Sequence, residues 1–354
     1  MRADHPGVYV RAMATCVPPK KVFFEEDAKK ANFPDKQVAR IKKTIGLNTR
    51  HVVTDGVTAL DLCARAAEKV LAALKPGEDQ IDGLIFVTQS PDHFQPCNAA
   101  ILHGKLGLDP SCAAFDINLG CSGFVYGLSV AASMLNSSDA GNILLLAGDT
   151  LSTTTNERDR SAGFLFGDAG SATLISKGRA DARLTVSMHT DGTGQHHIKI
   201  PAGGFRMPKS SKTAVEVETD DGNILSDDNL QMDGGAVFNF AVSVEPDSVN
   251  ELLQMTKTQR DDIDYVFFHQ ANKYFIGYVT RKLGFSKEQV PDDILELYGN
   301  QSSASIPCAI CHTLGGKITG NYDIIVSGFG VGLSWASAFM TFQPEFCPPV
   351  FELE

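Results

Sequence analysis

No stretch of this sequence reaches the roughly eighteen consecutive apolar residues that a bilayer-spanning helix needs. Its opening residues, Met1-Arg2-Ala3-Asp4-His5-Pro6, hold no apolar core of the kind that directs export, so a cytoplasmic location is expected. Cysteine is too sparse for a disulfide framework: eight are scattered over 354 residues, and in the cytosol they should be free thiols. Basic residues are in deficit, 31 Lys and Arg against 42 Asp and Glu. The net charge of −11 argues against general nucleic-acid binding and would repel an acidic partner unless cations gather locally. His196-His197 lies in a polar stretch without acidic or cysteine companions at ligand spacing, so no metal site is expected. What remains is a globular composition, 43% hydrophobic with 32 glycines, in a chain long enough for two domains or one double-sized unit.

The stretch that organises the chain is residues 113–124. An apolar run reads as a buried strand ending at Gly120, and a helix follows with Phe124, Leu128, Ala131 and Leu135 on one face. Cys121 then sits at the turn into a helix N-terminus, where unpaired N–H groups and the helix dipole favour negative charge. A thiol there should ionise more easily than a free one. Before it, the pattern reads as a strand over 7–14, a basic helix over 25–45, and a helix over 59–74 stopped by Lys75-Pro76-Gly77. A buried strand over 81–88 and a helix ending near Leu106 come next, and a second buried strand, 143–147, follows the Cys121 helix.

That order recurs. Residues 81–87 match 263–269, Leu106-Gly107-Leu108 matches Leu283-Gly284-Phe285 and 144–148 match 324–328, all at nearly constant offset, and 166–174 agree in kind with 329–337. The expected organisation is an N-terminal β/α half at 1–178, a connecting region at 179–235 read as a cover over the site, and a second half at 236–354. The repeat has a chemical consequence. Residues 295–300 answer to the run before Cys121, which places Asn300 at a strand end before a helix. His269 falls at the end of the strand equivalent to 81–87. If the copies pack about a local two-fold axis, Cys121, His269 and Asn300 converge. A thiol, an imidazole and an amide suit nucleophilic acyl chemistry. The turn Gly328-Phe329-Gly330-Val331-Gly332 offers backbone N–H groups to an oxyanion.

These residues resemble a known family. Cys121-Ser122-Gly123-Phe124, His269-Gln270-Ala271-Asn272, residues 299–307 beginning Gly299-Asn300, and the turn at 328–332 continuing through Leu333-Ser334-Trp335 look like the motifs of β-ketoacyl-acyl-carrier-protein synthase III, in the thiolase superfamily. The resemblance implies an α/β, five-layer αβαβα fold and a homodimer. It implies acyl transfer to Cys121, then decarboxylative Claisen condensation with malonyl carrier protein, without a cofactor. Cys121 would be the nucleophile, with His269 and Asn300 beside it, and the backbone N–H groups of Cys121 and Val331 would form the oxyanion hole. Phe94 and Phe329 would line the substrate tunnel, and Arg160 and Lys273 would meet the carrier or coenzyme A. Basic residues at 36–43 and at Lys273, Arg281 and Lys282 are the local cations an acidic carrier would meet.

One departure stands out. The family's aromatic residue and the arginine four positions on, which grip the coenzyme A nucleotide, are matched here by Arg40 and Thr44. That shifts the expectation from acetyl-CoA priming of ordinary fatty-acid synthesis toward a specialised pathway or an acyl group delivered differently. Two rivals remain: a non-condensing acyltransferase of the same fold, and, from Cys308-Ala309-Ile310-Cys311-His312, a haem attachment. The second needs export, and the segment reads instead as the first turns of a packed helix.

Overall fold

The computed structural model describes residues 1–74, 80–219 and 222–354. Apolar runs without alternation become strands buried on both faces, the signature of parallel pairing beneath helices. The first half contributes β1 (Arg2–Pro6), β2 (Val8–Val17), β3 (Gly83–Val87), β4 (Ala113–Ile117), β5 (Asn142–Asp149) and β6 (Ala169–Lys177). The second contributes β7 (Arg183–Thr190), β8 (Tyr265–Phe268), β9 (Tyr322–Gly330), β10 (Ser334–Phe346) and β11 (Phe351–Glu352). In the first, β2-β6-β5-β3-β4 are neighbours, antiparallel across β2/β6/β5 and parallel across β5/β3/β4. In the second, β7-β10-β9-β8 repeat that order and sense. The two runs join where β10 lies beside β2, pairing Phe342 with Val10 and Phe346 with Ala12 across a register shift; β1 adds to β7 and β11 to β2, giving one eleven-stranded sheet.

Helices fill the layers. On the outer face of the first run, α1 (Ala59–Ala72), entered through a Thr58–Asp61 capping box, packs on β2, β5 and β6. Two helices lie between the runs and touch both: α2 (Gly123–Ser137) and, near the C-terminus, Ser305–Leu314. Gly234–Thr256 covers the outer face of the second run, with Lys273–Leu283 packed beside it. The layers are thus α-β-α-β-α, with one apolar cluster between the runs and one outside each. Phe124, Leu128, Ala131 and Leu135 all face the central cluster with no exposure. Burying a side chain the size of Phe or Leu is worth about 1.5–3 kcal/mol. Among the described residues no helix is long and apolar enough to cross a membrane.

Three sequence expectations meet the structure differently. Residues 25–45 form two helices, Phe24–Lys30 and Asp35–Thr44, because Pro34 disfavours the helical conformation at Phe33 and starts a new helix itself. Residues 295–300 are not a strand: Ile294–Tyr298 is a short helix, and Asn300 makes only an isolated bridge to Phe166, ahead of β6. A five-residue apolar run does not declare its period, and here the helix wins. The Lys75-Pro76-Gly77 stop lies outside the described residues, and α1 ends at Ala72.

Candidate active site

Both central helices begin at the same edge of the fold, where β3, β5, β8 and β9 also end. Cys121 precedes Ser122, the N-cap residue of α2, and is partly open to a cavity of about 290 Å³. The end of β9 lies hard against it. A Cβ on Gly330 would stand 3.0 Å from Cys121 Cβ and 3.1 Å from Sγ, so a side chain there would push the thiol aside by a few tenths of an ångström.

His269 follows β8 and extends its pairing, with its N–H donating to the Ser327 carbonyl at 2.8 Å. Its ring is buried, with Nδ1 2.7 Å from Ser305 Oγ and its plane edge-on to Phe329 at 5.5 Å. Burial pushes its pKa down to about 3, so the imidazole is neutral at physiological pH. Asn300 is fixed by its backbone: its N–H donates to Leu165 and its carbonyl accepts from Gly167, each at 3.0 Å. Gly299, at φ +77°, makes the turn that delivers it. The Asn300 Oδ1 accepts from the Ser302 N–H at 2.9 Å, which commits the carbonyl end of the amide and turns the NH₂ the other way.

Cys121, His269, Asn300, Phe329 and Val331 all line this one cavity. The other expected site residues do not. Phe94 is 75% exposed and packs on the Phe205 ring at 5.4 Å. It rims a larger depression of about 1270 Å³ that shares Gln89, Leu151, Ile198, Leu230 and Val331 with the Cys121 cavity. Arg160 is tied to the end of helix Phe24–Lys30, its guanidinium donating to the Ala31 and Asn32 carbonyls. Lys273 has its ammonium 3.8 Å from Asp292 and 3.7 Å from Glu296. Each sits one residue from a cavity residue, Ser161 and Asn272 respectively. Cys308 and Cys311 are wholly buried in helix Ser305–Leu314, as the packed-helix reading requires.

The expected easy ionisation of Cys121 is overturned. Burial pushes the thiol up to about 12; contact with Ser302 pulls the other way but loses, and the nearby Asp149 carboxylate adds to the rise. A helix N-terminus supplies roughly half a charge, and desolvation of a thiolate in an apolar pocket outweighs it.

Two further residues at this site were not singled out from the sequence. Ser302 places Oγ 4.0 Å from Cys121 Sγ, and Asp149, at the end of β5, is wholly buried and holds Ser303. Ser302 falls inside the 299–307 motif. Asp149 closes a buried parallel strand at the edge where Cys121 lies, and strand carboxyl ends are where such sheets place their sites.

A five-layer αβαβα scaffold with a cysteine, a histidine and an asparagine meeting where its two halves join defines a thiolase-like protein. Models of 3-oxoacyl-acyl-carrier-protein synthase III match residues 115–192 and, for its C-terminal part, 253–342. A Campylobacter jejuni protein provisionally named 3-oxoacyl-acyl-carrier-protein synthase 3 is 35% identical over 97% of this chain and 96% of its own length. β-Ketoacyl-acyl-carrier-protein synthase III of Campylobacter curvus is 33% identical over 92% and 94%. The crystal structure of a 3-oxoacyl-acyl-carrier-protein synthase from Burkholderia xenovorans superimposes with a TM-score of 0.91 at 34% identity, covering 99% of both chains. The chain belongs to the 3-oxoacyl-acyl-carrier-protein synthase III family.

Proposed function

We propose that this protein is an acyltransferase that condenses an acyl thioester with a malonyl thioester to give a β-ketoacyl thioester. The observation that carries the reading is the convergence of Cys121, His269 and Asn300 on one cavity in a chain whose relatives match it from end to end. In the first half-reaction Cys121 Sγ attacks the acyl carbonyl, and the backbone N–H groups of Cys121 and Val331 hold the oxyanion while the carrier thiol leaves. In the second, malonyl thioester loses CO₂. The enolate oxygen is met by Asn300 NH₂ and by Nε2–H of a neutral His269 whose Nδ1 accepts from Ser305, and the enolate carbon attacks the acyl-Cys121.

The half at 1–178 supplies the nucleophile and the half at 236–354 the two donors. Within 179–235, β7 belongs to the sheet, and the segment after it covers the site, with Ile198, Leu230 and Met232 in the cavity wall. The enzyme works in the cytoplasm as a homodimer, with Phe94 offered toward the tunnel and Phe329 lining it. Arg160 and Lys273 flank the entry for acyl carrier protein or coenzyme A. Reversing the charge with Lys273→Glu, beside Asp292 and Glu296, should raise KM for carrier-bound substrate several-fold and leave KM for small thioesters unchanged, because a rim charge steers a charged partner. The decisive test of the whole reading is intact-protein mass spectrometry after incubation with a panel of acyl thioesters on both carriers. An acyl adduct on Cys121 that malonyl thioester discharges as β-ketoacyl product supports it; absence of any adduct overturns it.

A further inference from the structure

The resting site poses a question the acyl-transfer reading leaves open: where the Cys121 proton goes. His269 is a poor acceptor. Its Nδ1 faces Ser305, and burial disfavours its protonated form. The Cys121 thiol instead points to Ser302, its Sγ donating to Ser302 Oγ at 4.0 Å. Ser302 is held at φ +49° and is buried, whereas the other two non-glycine residues with positive φ among the described residues, Asn32 and Lys257, are exposed at helix ends. Glycine would occupy that conformation without strain. A buried serine kept there implies that its hydroxyl is worth the strain, and such outliers gather at functional sites.

The hydroxyl has a neighbour. The Ser302 hydroxyl lies near enough to the Asp149 carboxyl to favour its ionised form, while Ser303 next to it makes the direct hydrogen bonds. The loop is braced on both sides of it: Asn300 Oδ1 holds the Ser302 N–H, and the Ser303 N–H and Oγ donate to Asp149 at 3.2 and 2.7 Å. Asp149 is otherwise held by neutral donors, the Gln89 N–H at 2.7 Å and Thr88 Oγ at 3.2 Å. Those contacts leave it a buried carboxylate with no cation among them, and burial raises its basicity.

We propose that Ser302 and Asp149 form the proton exit for Cys121, with Ser302 touching the reacting sulfur and Asp149 acting through it. The inference rests on the acyl-transfer reading above. As the Sγ–carbon bond forms, the thiol proton moves to Ser302 Oγ and the Ser302 proton moves to Asp149. When the tetrahedral intermediate collapses and the carbon–sulfur bond to the carrier breaks, Asp149 returns its proton to Ser302 Oγ, and Ser302 gives up its own to the departing thiolate without passing through the acylated sulfur. Atoms and charge balance without an external base.

The test compares wild type with Ser302→Gly, which keeps the backbone conformation and removes the hydroxyl, and with Asp149→Asn, which removes the basic oxygen. Single-turnover acylation of Cys121 is followed by quenched mass spectrometry from pH 6 to 10, with malonyl decarboxylation measured in parallel. In both variants the ratio of acylation to decarboxylation should fall at least tenfold at pH 7, and acylation should recover steeply as pH rises, because hydroxide then replaces the lost acceptor. Wild-type acylation should vary far less with pH. A folded Ser302→Gly protein with the wild-type ratio and pH profile overturns the proton exit and leaves the condensing-enzyme reading standing. If Ser302→Gly fails to fold, the same outcome in Asp149→Asn overturns it. A wild-type protein that takes no acyl group from any thioester removes both.

Discussion

Cys121→Ala should form no acyl-enzyme with any thioester, and condensation should fall by a factor on the order of a million, the scale of losing a covalent nucleophile whose partners act with it as a unit. The variant should still release CO₂ from malonyl thioester, since decarboxylation asks only for donors at the enolate oxygen, and those sit across the cavity on the other half of the fold. The substitution is mild for the structure. Cys121 lies at a turn, not in the central apolar cluster. Loss of condensation with a retained melting temperature is therefore the expected pair of results. Intact mass and ¹⁴CO₂ release measure the two activities separately, and condensation at the wild-type rate would defeat the scheme.

His269→Ala and Asn300→Ala should show the opposite split. Acyl-Cys121 still forms, while decarboxylation drops about 10²- to 10³-fold for each, because a preorganised donor to a developing oxyanion is worth about 2.7–4 kcal/mol. The pH dependence sharpens this. An ordinary histidine gains a proton below about 6.5. The folded-state pKa of His269 is depressed to about 3, so its donor form does not change between pH 8 and 5. Wild-type malonyl decarboxylation should accordingly run flat across that interval. A fall centred near pH 6.5 would mean that the ring titrates normally and is not sealed from water as the structure places it.

The sequence exposed much of this site because its key residues occur at punctuation marks. Cys121 stands between an apolar run and an apolar stripe; the stripe became the expected helix, whereas the strand ends at Ile117, short of Gly120, and none of its residues is buried. His269 ends a strand whose counterpart lies earlier in the chain, and β2-β6-β5-β3 and β7-β10-β9-β8 share one order, although β7 lies at 183–190, ahead of the second half expected at 236–354. Asn300 was brought to the right place for a wrong reason, since 294–298 is helical and the asparagine is positioned by backbone bonds to Leu165 and Gly167. The break at Phe33-Pro34 was legible in principle, because proline speaks locally. What the sequence could not carry was burial. The rise in the Cys121 pKa, the fall in that of His269 and the closeness of Ser302 to Asp149 all depend on which groups lose water when two distant halves close. Phe94, matched by motif, stands on an exposed rim outside the Cys121 cavity for the same reason: a motif fixes a residue's position in the chain, while the neighbours decide what covers it.

The strand β2 borders β10 and pairs its Cys16 and Val17 with Phe351 and Glu352, across almost the whole described sequence. Contacts of such sequence separation form slowly and only after the intervening chain is ordered. A ribosome that has synthesised the nucleophile-bearing half has therefore made a sheet edge without its neighbour, and exposed edges of this kind recruit other chains. The nascent protein depends on residues 322–352 to finish both its sheet edge and its catalytic pocket, so termination before Tyr322 should yield aggregation and not a shortened enzyme.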